Sequence, residues 1–317
     1  MEPGPVAMEG LCAPISVAEG RFKLENKLGE GSFGMVFRGS DTQTGRRVAV
    51  KLEFTKSSHA GQLIQEASIM NILMQPTKRD GFSNLFYFGT EDAWSVLVMD
   101  LLGPSLQDGV DACGGKLDIG TTAIVAEQTI QLIAYLHSRH IRCTRGNDLT
   151  GTARYASIGA MRGYTQSRRD DLEAVGHMFI YLALGALPWS GLQARSYTEK
   201  LQMILFKKRK TRLSDLCGNL PCEFQSFLRY CRELRFEARP DYDGMQALFR
   251  SLRKNKEDHQ LQWLESKNLD PSSLEPLQLG SPCEPQPEDL AWQPIGEALQ
   301  HAASPIPAPG RITMATE

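Results

Sequence analysis

The sequence predicts an α+β fold of two lobes, in which a β-rich amino-terminal lobe precedes a larger helical lobe. Strand-like runs of β-branched and aromatic residues dominate residues 21–100, with one helical pattern at 62–74. Residues 104–254 instead show apolar side chains at the spacing of amphipathic helices. A Gly-Pro pair at 103–104 separates the two parts, because proline ends a strand and favours a turn.

The composition places this domain, residues 21–254, between a leader and a tail. Prolines and glycines are frequent near the amino terminus, so we expect residues 1–20 to form a flexible leader. Nine prolines fall between Pro271 and Pro309, and aromatic residues are almost absent there. We therefore expect residues 255–317 to form a Pro-rich, mostly disordered tail.

Charge, hydropathy and cysteine usage exclude several classes of protein. The chain has 35 Lys and Arg against 37 Asp and Glu, which gives no general attraction to nucleic acid or anionic membranes. No uninterrupted apolar stretch reaches membrane-spanning length, and no signal pattern opens the chain. Seven scattered cysteines without a C-x-x-C pair indicate free thiols in a reducing compartment. We expect a soluble protein of the cytoplasm, the nucleus or both, without a membrane partner.

The clearest functional pattern lies in residues 28–52. Three glycines stand in a G-x-G-x-x-G spacing, at Gly29, Gly31 and Gly34. Such glycines let backbone N–H groups approach a phosphate, but dinucleotide-binding folds also use this spacing and then open a helix. Here residues 35–38 and 46–51 are both strand-like and are joined by a turn. This order favours the phosphate loop of a protein kinase.

Lys51 and Glu66 form the second part of the predicted phosphate site. In a kinase-like lobe, a lysine on the third strand holds the α- and β-phosphates, and a glutamate on the next helix holds the lysine. Glu66 lies on the predicted helix at 62–74. The pattern therefore predicts a Lys51–Glu66 ion pair, and a solvated helix charge is the alternative.

Four segments, in this order along the chain, resemble the casein kinase I family of Ser/Thr protein kinases. They are VMDLLGPSL at 98–106, LTGTARYASI at 149–158, SRRDDLE at 167–173 and LPW at 187–189. The resemblance extends from about Phe22 to Leu252 and implies a bilobal protein-kinase-like fold. It also implies phosphoryl transfer from ATP to Ser or Thr, with Mg²⁺, and protein substrates or partners that carry acidic or phosphorylated segments.

The resemblance also assigns residues to the site. It implies a hinge at residues 99–102, with backbone groups near Asp100 and Leu102 meeting adenine and Asp108 facing the ribose. The expected ATP-binding residues are Leu28, Gly29, Gly31, Gly34, Val36, Ala49, Lys51, Glu66, Met99, Asp100, Leu102 and Asp108. Three arginines match family positions that line the substrate cleft, namely Arg154, Arg168 and Arg169.

The interval after the long helix predicted at 121–138 lacks the catalytic machinery of such kinases. They take a proton-accepting Asp from an H-R-D motif and bind Mg²⁺ with a downstream Asn and a D-F-G Asp. Residues 139–148 contain none of these motifs, and the sequence has no D-F-G elsewhere. We therefore predict no catalytic Asp, no Mg²⁺ ligands and phosphoryl transfer near background. The chain would then represent a splice form, an incomplete gene model, or a pseudokinase that acts through protein–protein interaction.

Three charged features remain open to interpretation. Asp148 is either a surrogate base or, as its position favours, a solvated loop carboxylate. Asp171 matches a family Asp that braces the catalytic loop, so we expect it to lack its partner here. The run at 207–210, KKRK, is a solvated helix end, an anion or phosphopeptide site, or a nuclear-import or nucleic-acid patch. Because no aromatic residues interleave this run, nucleic-acid binding is disfavoured.

Overall fold

The computed structural model describes residues 13–31, 34–55, 61–75, 80–141, 152–253 and 261–264. The chain divides into two compact units, residues 1–275 and 276–317, and all described residues belong to the first. Asp148 and almost all of the expected tail lie outside the described residues. No helix in the described ranges is long and apolar enough to cross a membrane.

The amino-terminal lobe is built on an antiparallel sheet with the strand order β1-β2-β3-β4-β6-β5. The strands are β1 (Ser16–Val17), β2 (Phe22–Gly31), β3 (Gly34–Asp41), β4 (Arg47–Phe54), β5 (Leu85–Glu91) and β6 (Trp94–Asp100). Side chains alternate between the two faces, as in any strand. Val48, Val50 and Leu52 of β4 pack in a buried cluster on one face. Lys51 and Ala49 therefore belong to the other face.

Helix α1 (Gln62–Met74) covers that other face of the sheet. Its buried residues Leu63 and Ala67 pack with Leu97 of β6. The backbone N–H of Leu63 donates to Glu53 Oε2 at 3.1 Å, so a buried carboxylate on β4 caps the start of the helix. This contact fixes α1, and hence Glu66, relative to the strand that carries Lys51.

Strand β1 lies within the expected flexible leader. Ser16 and Val17 pair with Lys23 and Phe22 of β2, and the side chains of Val17 and Phe22 are fully buried. The ordered domain thus begins before the expected boundary at residue 20. A two-residue strand is too short to leave a periodic signal, and only its pairing with β2 defines it.

The helical lobe packs around the paired helices α3 and α5. The helices are α2 (Leu106–Ala112), α3 (Ile119–Ser138), α4 (Ile158–Met161), α5 (Arg168–Leu184), α6 (Tyr197–Lys210), α7 (Leu213–Leu216), α8 (Cys222–Glu233) and α9 (Tyr242–Arg250). Phe179 of α5 lies against the rings of Phe227 and Phe249, with centroids 5.7 and 5.3 Å away. Gly185 caps the carboxyl end of α5 with φ +78°, a left-handed conformation that glycine adopts without strain.

A short 3₁₀ helix, Gln262–Leu264, lies against α2 and the start of α3. Gln262 accepts a hydrogen bond from the Asp118 N–H at 2.8 Å, and its own N–H donates to Thr121 Oγ1 at 3.0 Å. The Trp263 ring lies so close to Gly109 that a Cβ there would come within 3.0 Å. Part of the chain beyond residue 254 therefore packs on the domain. The predicted α+β class with a β-rich lobe and a helical lobe is confirmed.

Candidate nucleotide site

The glycine hairpin joins β2 and β3, with Gly31 paired to Gly34. Gly34 has φ +125°, and a Cβ there would lie 2.0 Å from the carbonyl oxygen of Leu52. This glycine is therefore required by backbone packing against β4. A Cβ on Gly29 or Gly31 would meet no atom within 4 Å, so these two leave the backbone open to an incoming group. Leu28 beside them is exposed.

Lys51 and Glu66 form the predicted ion pair, with Lys51 Nζ donating to Glu66 Oε2. The ion-pair interpretation is thus confirmed over a solvated helix charge. The lysine side chain is 22% exposed and that of the glutamate 38%, so the pair borders solvent. An ammonium group has three N–H donors, and Glu66 takes one of them. The pair can therefore orient the lysine while leaving it able to meet a phosphate.

Apolar side chains from the central strands continue the site away from the glycines. Val36 of β3 lies opposite Lys51, and Ala49 of β4 lies opposite Met99 of β6. Ala49 is buried, whereas Val36 and Met99 are half-buried. A small residue between two larger ones gives a shallow apolar surface next to the hinge, suited to a flat ring.

The expected hinge is fixed by a residue that sequence reasoning missed. Asp100 Oδ2 accepts from the backbone N–H and the side-chain Nδ2 of Asn84, at 2.6 and 2.9 Å, and the Asp100 N–H donates to Asn84 O at 3.3 Å. Leu102 is exposed. The side chain of Asp100 is therefore a brace for the strand end. An adenine contact through backbone groups near Asp100 and Leu102 stays a prediction.

Asp108, expected to face the ribose, forms a capping box at the start of α2. Its Oδ2 accepts from the Ser105 hydroxyl at 2.8 Å and from the Ser105 N–H at 2.6 Å. These hydrogen bonds lower the pKa of the Asp108 carboxyl, so it is ionised at neutral pH. The local role of this residue is a helix cap. A ribose contact would have to use the same carboxylate.

The three arginines expected in the substrate cleft contact different residues. The Arg154 guanidinium lies 5.0 Å above the Tyr181 ring. Arg169 Nη1 donates to the carbonyl of Leu234 at 3.0 Å. Arg168 instead borders a cavity between α3 and α9. Arg169 is thus committed to the backbone of its own lobe.

The basic run at 207–210 is not a uniform charged surface. Lys208 is 1% exposed, and its Nζ donates to the carbonyls of Ala153 and Ala156 at 3.0 and 2.5 Å. Burial lowers the pKa of Lys208 to about 7, and the nearby Glu173 carboxylate opposes this shift. The other three residues of the run are exposed at the end of α6. Lys208 therefore cannot belong to a surface patch.

Further buried side chains hold residues 152–158, the segment whose carbonyls accept from Lys208. Trp189 Nε1 donates to the carbonyl of Arg154 at 2.7 Å, and His177 Nδ1 donates to that of Tyr155 at 2.9 Å. The Ser157 hydroxyl donates to Asp170 at 2.7 Å. Burial lowers the pKa of His177 to about 3, so the ring is neutral. No local pattern in the sequence could have revealed this set of contacts.

Asp171 has a partner, so the expectation that it lacks one is wrong. His137 Nε2 donates to Asp171 Oδ2 at 2.8 Å, and His137 Nδ1 lies 2.7 Å from the Tyr242 hydroxyl. A carboxylate can only accept, so Nε2 carries a proton. His137 of α3 is thus the partner of Asp171.

The residues described above that suit a nucleotide are called the nucleotide cradle: Gly29, Gly31, Val36, Ala49, Lys51, Glu66 and Met99. Metal binding is a separate question. Within the described ranges, no group of three or more His, Cys, Asp or Glu side chains is placed to hold a metal ion. The cradle residues suit the phosphates and ring of a nucleotide, because they combine an oriented cation, open glycine backbone and an apolar wall. They do not include a set of carboxylates for Mg²⁺.

A protein-family comparison matches part of this chain. The model described as "Protein kinase domain" matches residues 22–144. That range contains β2–β6, α1, α2 and α3, and so every residue expected to bind ATP. Protein kinase domains in general use ATP and Mg²⁺. The match supports a protein kinase family for this chain, whose fold is α+β and kinase-like with a shortened helical lobe.

Proposed function

We propose that this chain is a casein kinase I-like member of the protein kinase family that binds ATP. With this sequence it transfers phosphoryl groups at or near the background rate. The observation that carries the proposal is the Lys51–Glu66 ion pair beside the open backbone of Gly29 and Gly31. The Ser/Thr specificity rests on the four sequence segments that resemble casein kinase I proteins.

Each part of the cradle has a defined task in nucleotide binding. Lys51 neutralises the α- and β-phosphates, and Glu66 holds the lysine in place. Gly29 and Gly31 let backbone N–H groups approach the phosphates. Val36, Ala49 and Met99 contact the adenine ring.

The low transfer rate follows from the groups that the sequence lacks. General-base assistance contributes roughly 10²–10⁴-fold, or about 3–5.5 kcal/mol of the barrier. The absent H-R-D Asp removes this assistance. The absent Asn and D-F-G Asp remove the protein ligands of Mg²⁺, which neutralises charge on the transferring phosphate.

Calorimetric titration with ATP, with and without Mg²⁺, tests the proposal on the wild type and two matched variants. We expect ATP to bind, Mg²⁺ to change its affinity little, and Lys51→Met to weaken it at least tenfold. Lys23→Met is the control, because Lys23 is an exposed lysine elsewhere on the sheet. Strong enhancement by Mg²⁺, or equal binding by Lys51→Met, would contradict this assignment.

A transfer assay with Mg-ATP and an acidic peptide tests the second half of the proposal. We expect no signal above the Lys51→Met background. Robust phosphorylation that disappears in Lys51→Met would show that another group replaces the catalytic Asp.

A pseudokinase that acts through protein–protein interaction is the second candidate. It is supported by the 152–158 segment, which Lys208, His177 and Trp189 hold without help from a catalytic loop. A surface for acidic or phosphorylated partners would therefore persist in an inactive chain. Transcript sequencing across residues 141–149 separates this candidate from a longer active form, because only the latter would contain H-R-D and D-F-G.

A further inference from the structure

A cavity in the helical lobe shares no residue with the nucleotide cradle. Its volume is about 760 Å³, which is within the range of small-molecule sites. The walls come from the carboxyl-terminal half of α3, the first residue of α5, and residues 239–246 around the start of α9. The proposed ATP binding assigns it no ligand. Of its lining residues, only Arg168 was expected to face a substrate.

Two arginine side chains that border this cavity have no partner among the described residues. Arg168 and Arg239 form no hydrogen bond or ion pair with any residue in the part of the chain that the structure describes. Other arginines of this lobe are paired, such as Arg232 with Glu173 and Arg250 with Glu127. Two guanidinium groups at the border of one cavity give it positive charge that attracts an anion.

The two guanidinium groups also act on the same atom of the cavity wall. Both favour the ionised form of the Tyr242 hydroxyl, although burial dominates and raises its pKa to about 12. That hydroxyl is held by His137, which is held in turn by Asp171. The arginines therefore converge on a wall whose polar groups are already fixed by hydrogen bonds.

The cavity also contains two carboxylates, those of Asp241 and Asp243. Asp241 Oδ1 accepts from the Gly244 N–H at 2.9 Å and so caps α9. A ligand with negative groups alone would be attracted by the arginines and repelled by these aspartates. A ligand with both an anionic and a cationic group matches the whole lining.

We propose that this cavity binds a small phosphomonoester that also carries an amino group. The phosphate lies between Arg168 and Arg239, because guanidinium groups bind phosphate oxygens through paired N–H donors. The amino group faces Asp241 or Asp243. This site does not depend on ATP binding in the amino-terminal lobe.

Calorimetric titration of the full chain with O-phosphoethanolamine tests the site, with inorganic phosphate and ethanolamine as separate arms. We expect O-phosphoethanolamine to bind more tightly than either, and Arg168→Gln and Arg239→Gln each to weaken it about tenfold. Arg162→Gln is the matched control, since Arg162 lies over the Tyr164 ring and does not border the cavity. Lys51→Met should leave the affinity unchanged.

Each contrary result overturns a defined part of this assignment. The site is wrong if no probe binds, if both arginine variants bind normally, or if Lys51→Met abolishes binding, which would place the phosphate in the glycine cradle. Equal affinity for inorganic phosphate would remove the amino-group contact. Arg239 is exposed, so Arg239→Gln decides the result alone if Arg168→Gln does not fold. An unchanged ATP response in the arginine variants keeps the two sites distinguishable.

Discussion

Lys51 in the amino-terminal lobe and Lys208 in the helical lobe both lie near a glutamate, but their surroundings are opposite. Lys51 of the amino-terminal lobe borders solvent and, among the described residues, forms an ion pair with Glu66 only. Lys208 of the helical lobe is buried, and two backbone carbonyls accept from its ammonium group. Lys51 is therefore placed to contact a ligand. Lys208 instead donates to backbone carbonyls of the protein itself.

Because Lys208 is buried and Lys51 borders solvent, we expect Lys208 to contribute to stability and Lys51 to ligand binding. Removing a donor from buried carbonyls leaves them unpaired, which is costly, whereas an ion pair at the surface contributes little. Changing both lysines to methionine, which keeps an unbranched side chain, therefore tests the comparison directly. We expect the effects on folding and on ATP affinity to occur in different variants.

Lys208→Met should have the largest effect on folding. We expect a loss of about 2–4 kcal/mol in the free energy of unfolding at pH 9, because the carbonyls of Ala153 and Ala156 lose their donor. Urea unfolding measures it, and ATP affinity should not change. Wild-type stability in this variant, or a loss of ATP binding with native stability, would contradict the comparison.

The difference in unfolding free energy between wild type and Lys208→Met should also depend on pH. The pKa of Lys208 is about 7 in the folded protein and near its ordinary value of 10.5 when unfolded. Between these values the unfolded chain binds the additional proton, so stability rises with pH. The advantage of wild type over Lys208→Met should therefore grow from pH 7 to pH 9. An advantage that shrinks between pH 7 and pH 9 would contradict the lowered pKa of Lys208.

Gly34→Ala should have an intermediate effect on folding. The new Cβ would meet the Leu52 carbonyl oxygen, and φ is +125°, so we expect a loss of about 1–3 kcal/mol by urea unfolding. Gly31→Ala is the control within the same hairpin, because a Cβ there meets no atom, and its stability should stay within about 0.5 kcal/mol of wild type. Equal losses in the two variants would mean that the glycines do not have separate roles.

Lys51→Met should have the smallest effect on folding. A partly exposed ion pair contributes about 0–1 kcal/mol, so the midpoint of urea unfolding should change little. The same variant should lose the ATP affinity that Lys208→Met keeps. A large destabilisation would show that Lys51 is a structural residue of the sheet.

Much of the amino-terminal lobe could be predicted because its signals are local. The helix at 62–74 has the predicted bounds. Lys51 of β4, the third strand of the sequence-based prediction, pairs with Glu66 as predicted. Alternation in β4 and the glycine spacing of the hairpin each depend on neighbouring residues only. Strand β1 and Asn84 were not predictable in this way, since both are defined by partners distant in the chain.

The helical lobe was predictable as helices but not as a set of side-chain contacts. Apolar periodicity indicates α3, α5, α8 and α9, because each helix buries one face or is enclosed. Lys208 reads as part of a charged helix end, yet its contacts lie more than fifty residues away. The same holds for His137, which reaches Asp171 of α5 and Tyr242 of α9.

By itself, the sequence determined the order of the lobes, the cradle that pairs Lys51 with Glu66, and the absence of H-R-D and D-F-G motifs. Those features are set by residue identity and by spacing along one or two elements. The tertiary structure alone decided which charges remain available to a ligand. It buried Lys208, gave Asp171 a histidine partner and brought Arg168 and Arg239 to the border of one cavity. The physical reason is that burial and pairing depend on which distant segments pack together. The identity of a charged residue does not show whether it is buried and paired or exposed to a ligand.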